Sequence, residues 1–85
     1  MTGYFAYSMA GHDKGKIYLI IKEDADYVWL ADGRARGLSN PKRKNKKHIQ
    51  IIKKYGQETD IDVMTDEKIK YIIKKLYGNE SNGSR

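Results

Sequence analysis

Nine Lys and Arg residues lie between Gly33 and Gly56 with no Asp or Glu among them: Arg34, Arg36, Lys42, Arg43, Lys44, Lys46, Lys47, Lys53 and Lys54. The chain holds 17 basic and 11 acidic residues in all, so the remainder carries eight basic against eleven acidic. The formal +6 is thus a local +9 set in a frame of −3. A field of one sign concentrated in one segment attracts a polyanion, whereas a face kept basic for solubility interleaves both signs. Guanidinium groups at Arg34, Arg36 and Arg43 can grip phosphates bidentately or stack on bases. The lysines act as point charges along a backbone, and His48, directly after Lys46 and Lys47, reads as a neutral donor to phosphate or backbone. Lys14 and Lys16 flank Gly15, where a phosphate could approach backbone amides between two ammonium groups. Tyr18, Tyr27 and Trp29 could offer a face for stacking unpaired bases. Outward aromatics on strands this short also serve to cover a barrel end or dock a helix.

Catalysis lacks its parts. The two histidines, His12 and His48, sit in basic surroundings with no paired carboxylate nearby. Asp24/Asp26 and Asp60/Asp62 lie in turn and edge contexts, and neither pair has metal-ligand spacing with a histidine. There is no Cys, so thiolate metal sites and disulfides are excluded. No cofactor is expected. No apolar run approaches the ~20 residues of a membrane span. The N-terminus lacks a charged region followed by an apolar stretch, so the expected setting is the cytoplasm.

The elements that position these residues are short. Eighty-five residues make one small domain with a simple core. Tyr4 to Met9 reads as a strand and Gly11 to Gly15 as a turn. Lys16 to Lys22 is a second strand, with Ile17, Leu19 and Ile21 on one face and Tyr18 and Ile20 on the other. After the polar connection 23–26, Tyr27 to Ala31 is a third, Val28 and Leu30 inward. Asp32-Gly33 between two β-prone runs predicts a two-residue hairpin turn. Its return strand, Arg34 to Leu38, would hold both arginines outward on one face, leaving Ala35 and Gly37 on the other for close packing or a bulge. Ser39 to Lys47 has no apolar residue and reads as a mobile loop that orders on a polyanion. His48 to Ile52 returns to strand pattern. The short strands and tight connections suggest a strongly twisted antiparallel barrel or sandwich. Tyr55 to Met64 is expected to be extended over its surface. Thr65 or Asp66 caps a helix whose Ile69, Ile72, Ile73 and Leu76 recur at helical spacing until Gly78 stops it. The domain is therefore placed at 1–77, its helix at about 65–77, with a disordered tail at 78–85.

Ser8 to Ile21, SMAGHDKGKIYLII, resembles a KOW motif, the strand–Gly-loop–strand unit of ribosomal proteins and transcription elongation factors. Gly11, Asp13, Lys14, Gly15 and Lys16, followed by the alternating apolar strand, carry the match. Tyr27 to Gln50, YVWLADGRARGLSNPKRKNKKHIQ, is similar to bacterial small KOW-domain proteins, which are related to the archaeal and eukaryotic large-subunit ribosomal protein group with this motif. The helix start Thr65-Asp66-Glu67-Lys68-Ile69 fits the same group, so the resemblance runs from about Gly3 to Leu76. One departure is His12, where a basic residue would be expected; a neutral His weakens the loop as a phosphate clamp.

The resemblance implies a mainly β fold, a small SH3-like antiparallel barrel with one C-terminal α-helix, and binding to rRNA or another structured RNA at the ribosome or translation apparatus. The expected RNA contacts are Lys14, Lys16, Arg34, Arg36, Lys42, Arg43, Lys44, Lys46, Lys47 and His48, on a monomer with no membrane partner. Two rival readings use the same sequence. One is a protein-interaction module presenting the Ile69/Ile72/Ile73/Leu76 stripe, and the other a nonspecific nucleic-acid binder.

Overall fold

The structure, a computed structural model, describes residues 1–52 and 60–83. Lys53 and Lys54 of the basic segment, and 55–59 of the expected extended stretch, lie outside the described residues. Five strands form one antiparallel sheet: β1 (Phe5–Ser8), β2 (Ile17–Glu23), β3 (Tyr27–Ala31), β4 (Lys42–Asn45) and β5 (Ile49–Ile51). Their spatial order is β4-β3-β2-β1-β5. One helix, α1 (Asp66–Gly83), follows, and short 3-10 turns occupy Lys46–His48 and Ile61–Val63.

Strand alternation sorts the core into two clusters. The inner one holds Ala6, Tyr18, Ile20, Val28 and Leu30, with Ile49 and Ile51 packed on it. The outer one holds Phe5, Ile17, Leu19, Ala31 and Ile52, covered by Ile69, Ile73 and Leu76 of α1. The sheet therefore curls around the first cluster and is closed over by the helix on the second. A bulge at Ile21 aids the curl. Ile20 opposes Leu30, but Lys22, not Ile21, opposes Trp29, and an extra residue of this kind increases local twist. Among the described residues the edge strands β4 and β5 do not pair with each other. The fold is mainly β, an incompletely closed SH3-like barrel with one C-terminal helix.

Four expected boundaries change. First, β3 does not return through Arg34–Leu38; its partner is β4, with Leu30 opposite Lys42 and Tyr27 opposite Asn45. The Asp32 carboxylate accepts hydrogen bonds from the amides of Arg34 (2.8 Å) and Arg36 (3.0 Å). The Arg36 carbonyl accepts from the amides of Asp32 and Gly33. These backbone groups are thus satisfied locally and have nothing left for a ladder. A two-residue type I′ turn would also need Asp32 at positive φ, and no described non-glycine residue has one. Second, the expected mobile loop contains a strand, since Lys42–Asn45 is β4. Third, His48 belongs to a 3-10 turn capped by the Asn45 side chain, and β5 starts at Ile49. Ile61–Val63, within the stretch expected to be extended, is likewise a 3-10 turn, capped by the Asp60 side chain accepting from the Asp62 amide. Fourth, α1 passes through Gly78 to Gly83, so Gly78 does not end it and 78–83 of the expected disordered tail is helical, while 84–85 lies outside the described residues. Thr65 is the cap: its hydroxyl accepts from the Lys68 amide at 3.2 Å.

Candidate nucleic-acid interface

Pairing β4 with β3 decides where Lys42, Arg43 and Lys44 point. Lys42 and Lys44 oppose Leu30 and Val28, whose side chains face the inner cluster, so both lysines also turn inward. Their partner is Asp13, 5% exposed, from the glycine-bracketed turn. Both ammonium groups lie 2.8 Å from its carboxylate oxygens. The Ser8 hydroxyl donates to Asp13 at 2.8 Å and the Tyr18 hydroxyl at 3.2 Å. Lys44 also donates to Ser8 Oγ and to the Ala10 carbonyl, at 2.8 and 2.7 Å. Burial by itself raises the Asp13 carboxyl, but hydrogen bonds from Lys42, Lys44 and Ser8 outweigh it and hold the group well below the usual carboxylate range. Burial, then the Asp13 charge, pushes the Tyr18 phenol above its ordinary value. This cluster joins the β1–β2 turn to β4 and takes Lys42 and Lys44 out of the set free to meet phosphate. Tyr18, 3% exposed, is equally unavailable for stacking.

The turn itself also differs from a phosphate cradle. The amides of Lys14, Gly15 and Lys16 donate to the carbonyls of Gly11, Ser8 and Asp13 respectively. With these three amides committed, the flank of Gly15 meets a ligand through the exposed side chains of Lys14 and Lys16, with His12 also exposed on the turn. Gly15 has φ +89° and open space around it, so its glycine serves backbone shape alone.

The other expected contacts spread over the surface. Lys46 pairs with Glu23 at 2.9 Å. The N-terminal ammonium and Lys46 together bring the Glu23 carboxyl down to about 2. Lys47 and His48 are exposed on the 3-10 turn. Arg43, pointing outward from β4, lies 4.6 Å from the ring centre of Tyr27. Lys22 lies 4.9 Å from that of Trp29. Because Lys22 and Arg43 both oppose Trp29 in register, cations and aromatics interleave across the outer face of β2, β3 and β4. Arg34 is exposed and Arg36 half-buried on the 32–36 loop, not side by side on a strand. Among the described residues, Lys14, Lys16, Arg34, Arg36, Arg43 and Lys47 have no acidic side chain within salt-bridge distance.

Sequence reasoning overlooked three cations. Lys22 was hidden by the bulge, which moves it from the face that strict alternation assigns. Lys70 and Lys74 stand on α1 beside a cleft of about 330 Å3, which they line with Lys16, Ile17, Asp32, Arg34, Ile73 and Tyr77. Their signal was present: two lysines four apart flanking Ile73, on a helix whose apolar side was already evident. Among the described residues no group of His, Cys, Asp or Glu could hold a metal ion, and no helix is long and apolar enough to cross a membrane. Neither protein-family models nor curated proteins give a match to this chain.

Proposed function

We propose that this protein binds RNA, at the ribosome or elsewhere in the cytoplasmic translation apparatus. The carrying observation is that six of the expected cations, Lys14, Lys16, Arg34, Arg36, Arg43 and Lys47, have no acidic partner among the described residues, and that Arg43 and Lys22 stand over Tyr27 and Trp29 on the outer sheet face. Phosphates would meet the side chains and unpaired bases the aromatics, a pairing of roles suited to irregular RNA. The likeness of Ser8–Ile21 and Tyr27–Gln50 to KOW proteins supports the same reading. The rival protein-interaction reading is less favoured, because Ile69, Ile73 and Leu76 of its stripe are buried against the barrel and Ile72 is half-buried on the same cluster.

The test is the salt dependence of binding to a structured RNA. Six phosphate contacts on a duplex-like target give a log–log slope of about −5, near −0.9 per contact. Replacing Lys14, Arg43 and Lys47 together by Ala should flatten it by about three units and leave the melting temperature nearly unchanged. A salt-insensitive complex, or a triple variant that binds like the parent, defeats the proposal. Equal affinity for duplex DNA of the same length would turn it toward nonspecific nucleic-acid binding.

A further inference from the structure

The cleft between α1 and the barrel collects more positive charge than its surroundings explain. Lys16 comes from the start of β2, Arg34 from the loop after β3, and Lys70 and Lys74 from α1. The one carboxylate lining it is Asp32, whose Oδ1 already accepts the Arg34 and Arg36 amides. Four cations against one carboxylate leave +3. Glu67, 2.9 Å from Lys70 on an 84% exposed side chain, lowers that to +2 at most. Like charges drawn from three separate elements repel one another unless an anion joins them.

The rest of the lining fits something larger than a bare ion. Ile17 and Ile73 give an apolar floor. Tyr77 stands at the rim, 41% exposed, with its hydroxyl fixed by accepting the Ile17 amide at 2.9 Å. A ring so pinned presents a face for a planar group without losing orientation on binding. The volume lies at the small end of the range for ligand sites. A backbone phosphodiester carries a single negative charge, less than the cleft's surplus. A phosphomonoester carries about −1.5 to −2 at neutral pH, and a polyphosphate more.

From this we infer that the cleft binds the terminal phosphate of a nucleotide, with Lys16, Arg34, Lys70 and Lys74 on the phosphate and Tyr77 against the base or sugar. The ligand's source is either the phosphorylated 5′ end of an RNA strand or a free nucleoside triphosphate, which share that chemistry. The first source rests on the RNA-binding reading; the second does not.

The full chain would be titrated with one short RNA bearing either a 5′-hydroxyl or a 5′-phosphate, and separately with GTP. If the strand end is the ligand, the 5′-phosphate should bind on the order of tenfold tighter, the gain of about one charge-assisted hydrogen bond. That preference should vanish in Lys70→Gln/Lys74→Gln while the 5′-hydroxyl RNA binds as before. If the free nucleotide is the ligand, GTP should bind and shift the amide resonances of Ile17, Ile73 and Tyr77, and the same double variant should abolish this. Glutamine retains the Lys70 methylenes that pack near Gly33, and an unchanged melting temperature would confirm an intact fold. Equal affinity for both RNA ends together with no GTP binding overturns the inference and leaves RNA binding standing. Loss of RNA binding altogether, with GTP still bound, would sink the RNA reading and keep the cleft.

Discussion

Two lysine ammonium groups and two hydroxyls converge on Asp13, and the consequences of that convergence can be measured. Asp13→Asn would leave Lys42 and Lys44 half-buried without a counter-charge, which costs about 3 kcal/mol at the low end for a broken buried pair. Lys44→Ala should destabilise more than Lys42→Ala, because the Lys44 side chain is 10% exposed and that of Lys42 32%. Thermal melts of the three variants give the order. The pH dependence has a definite sign. The Asp13 carboxyl is held below its unfolded value, near ~3.9, so its stabilisation is fully present above about pH 4 and is lost as pH falls through the folded value. The parent's melting temperature should fall steeply below about pH 4. Asp13→Asn should start lower and fall less, with Glu23 and Asp24, both also held low, supplying the remaining slope. An equally steep acid limb in the variant would remove Asp13 from this role. None of this was legible beforehand. Asp13 sits in a glycine-bracketed turn where Asp is ordinary, and Lys-Arg-Lys-Asn carries no apolar alternation to mark a strand. The alternation exists, but lysine occupies the inward positions.

At the scale of elements, what could be read was what apolar periodicity writes. The two faces of β2, the inward Val28 and Leu30, and the helix stripe all follow from it, and all are observed. The 32–38 segment departs from the expected hairpin and return strand because its organising contacts are polar, some local to Asp32 and one from far along the chain. The Asp66 carboxylate accepts the Leu38 amide at 2.8 Å across 28 residues. A Cβ on Gly33 would collide with the Asp66 carbonyl oxygen, and Gly33 itself has φ +77°. Gly33→Ala should therefore cost about 2 kcal/mol for the left-handed backbone alone, and more for the helix it displaces. Denaturant unfolding measures it; a neutral variant would show that the helix start yields easily. Ile69→Ala, at a fully buried position, should cost about 2–5 kcal/mol. A much smaller loss would mean that the helix seats loosely on the outer cluster.

Over the whole molecule, positive charge splits into two populations, and total charge could not separate them. Among the described residues, Lys42, Lys44 and Lys46 are tied to Asp13 and Glu23, whereas Lys22 and Arg43 stand over aromatic rings on the outer face and Lys16, Arg34, Lys70 and Lys74 line the cleft. Affinity and stability should accordingly respond to different lysines. Trp29→Ala offers a third handle, since its ring faces outward between Lys22 and Arg43. Removing it should weaken binding of a single-stranded RNA by about 1–3 kcal/mol while leaving the salt slope unchanged, because no phosphate contact is lost. Filter-binding isotherms at several salt concentrations resolve the two effects. A changed slope with unchanged affinity would place Trp29 outside the contact surface.

The helix touches the rest of the chain by more than its apolar side. Its first residue holds the Leu38 amide and its Tyr77 holds the Ile17 amide. Those two protons are guarded by side chains of one distant element, so they serve as built-in clocks for its departure. In deuterium oxide, Leu38 and Ile17 should exchange at a common free energy, that of α1 lifting off. Tyr77→Phe should release the Ile17 proton early and leave Leu38 on the slower schedule. Were the two protons already uncoupled in the parent, the helix would peel from one end instead of leaving as a unit, and the loop carrying Arg34 and Arg36 would stay latched while the cleft opened.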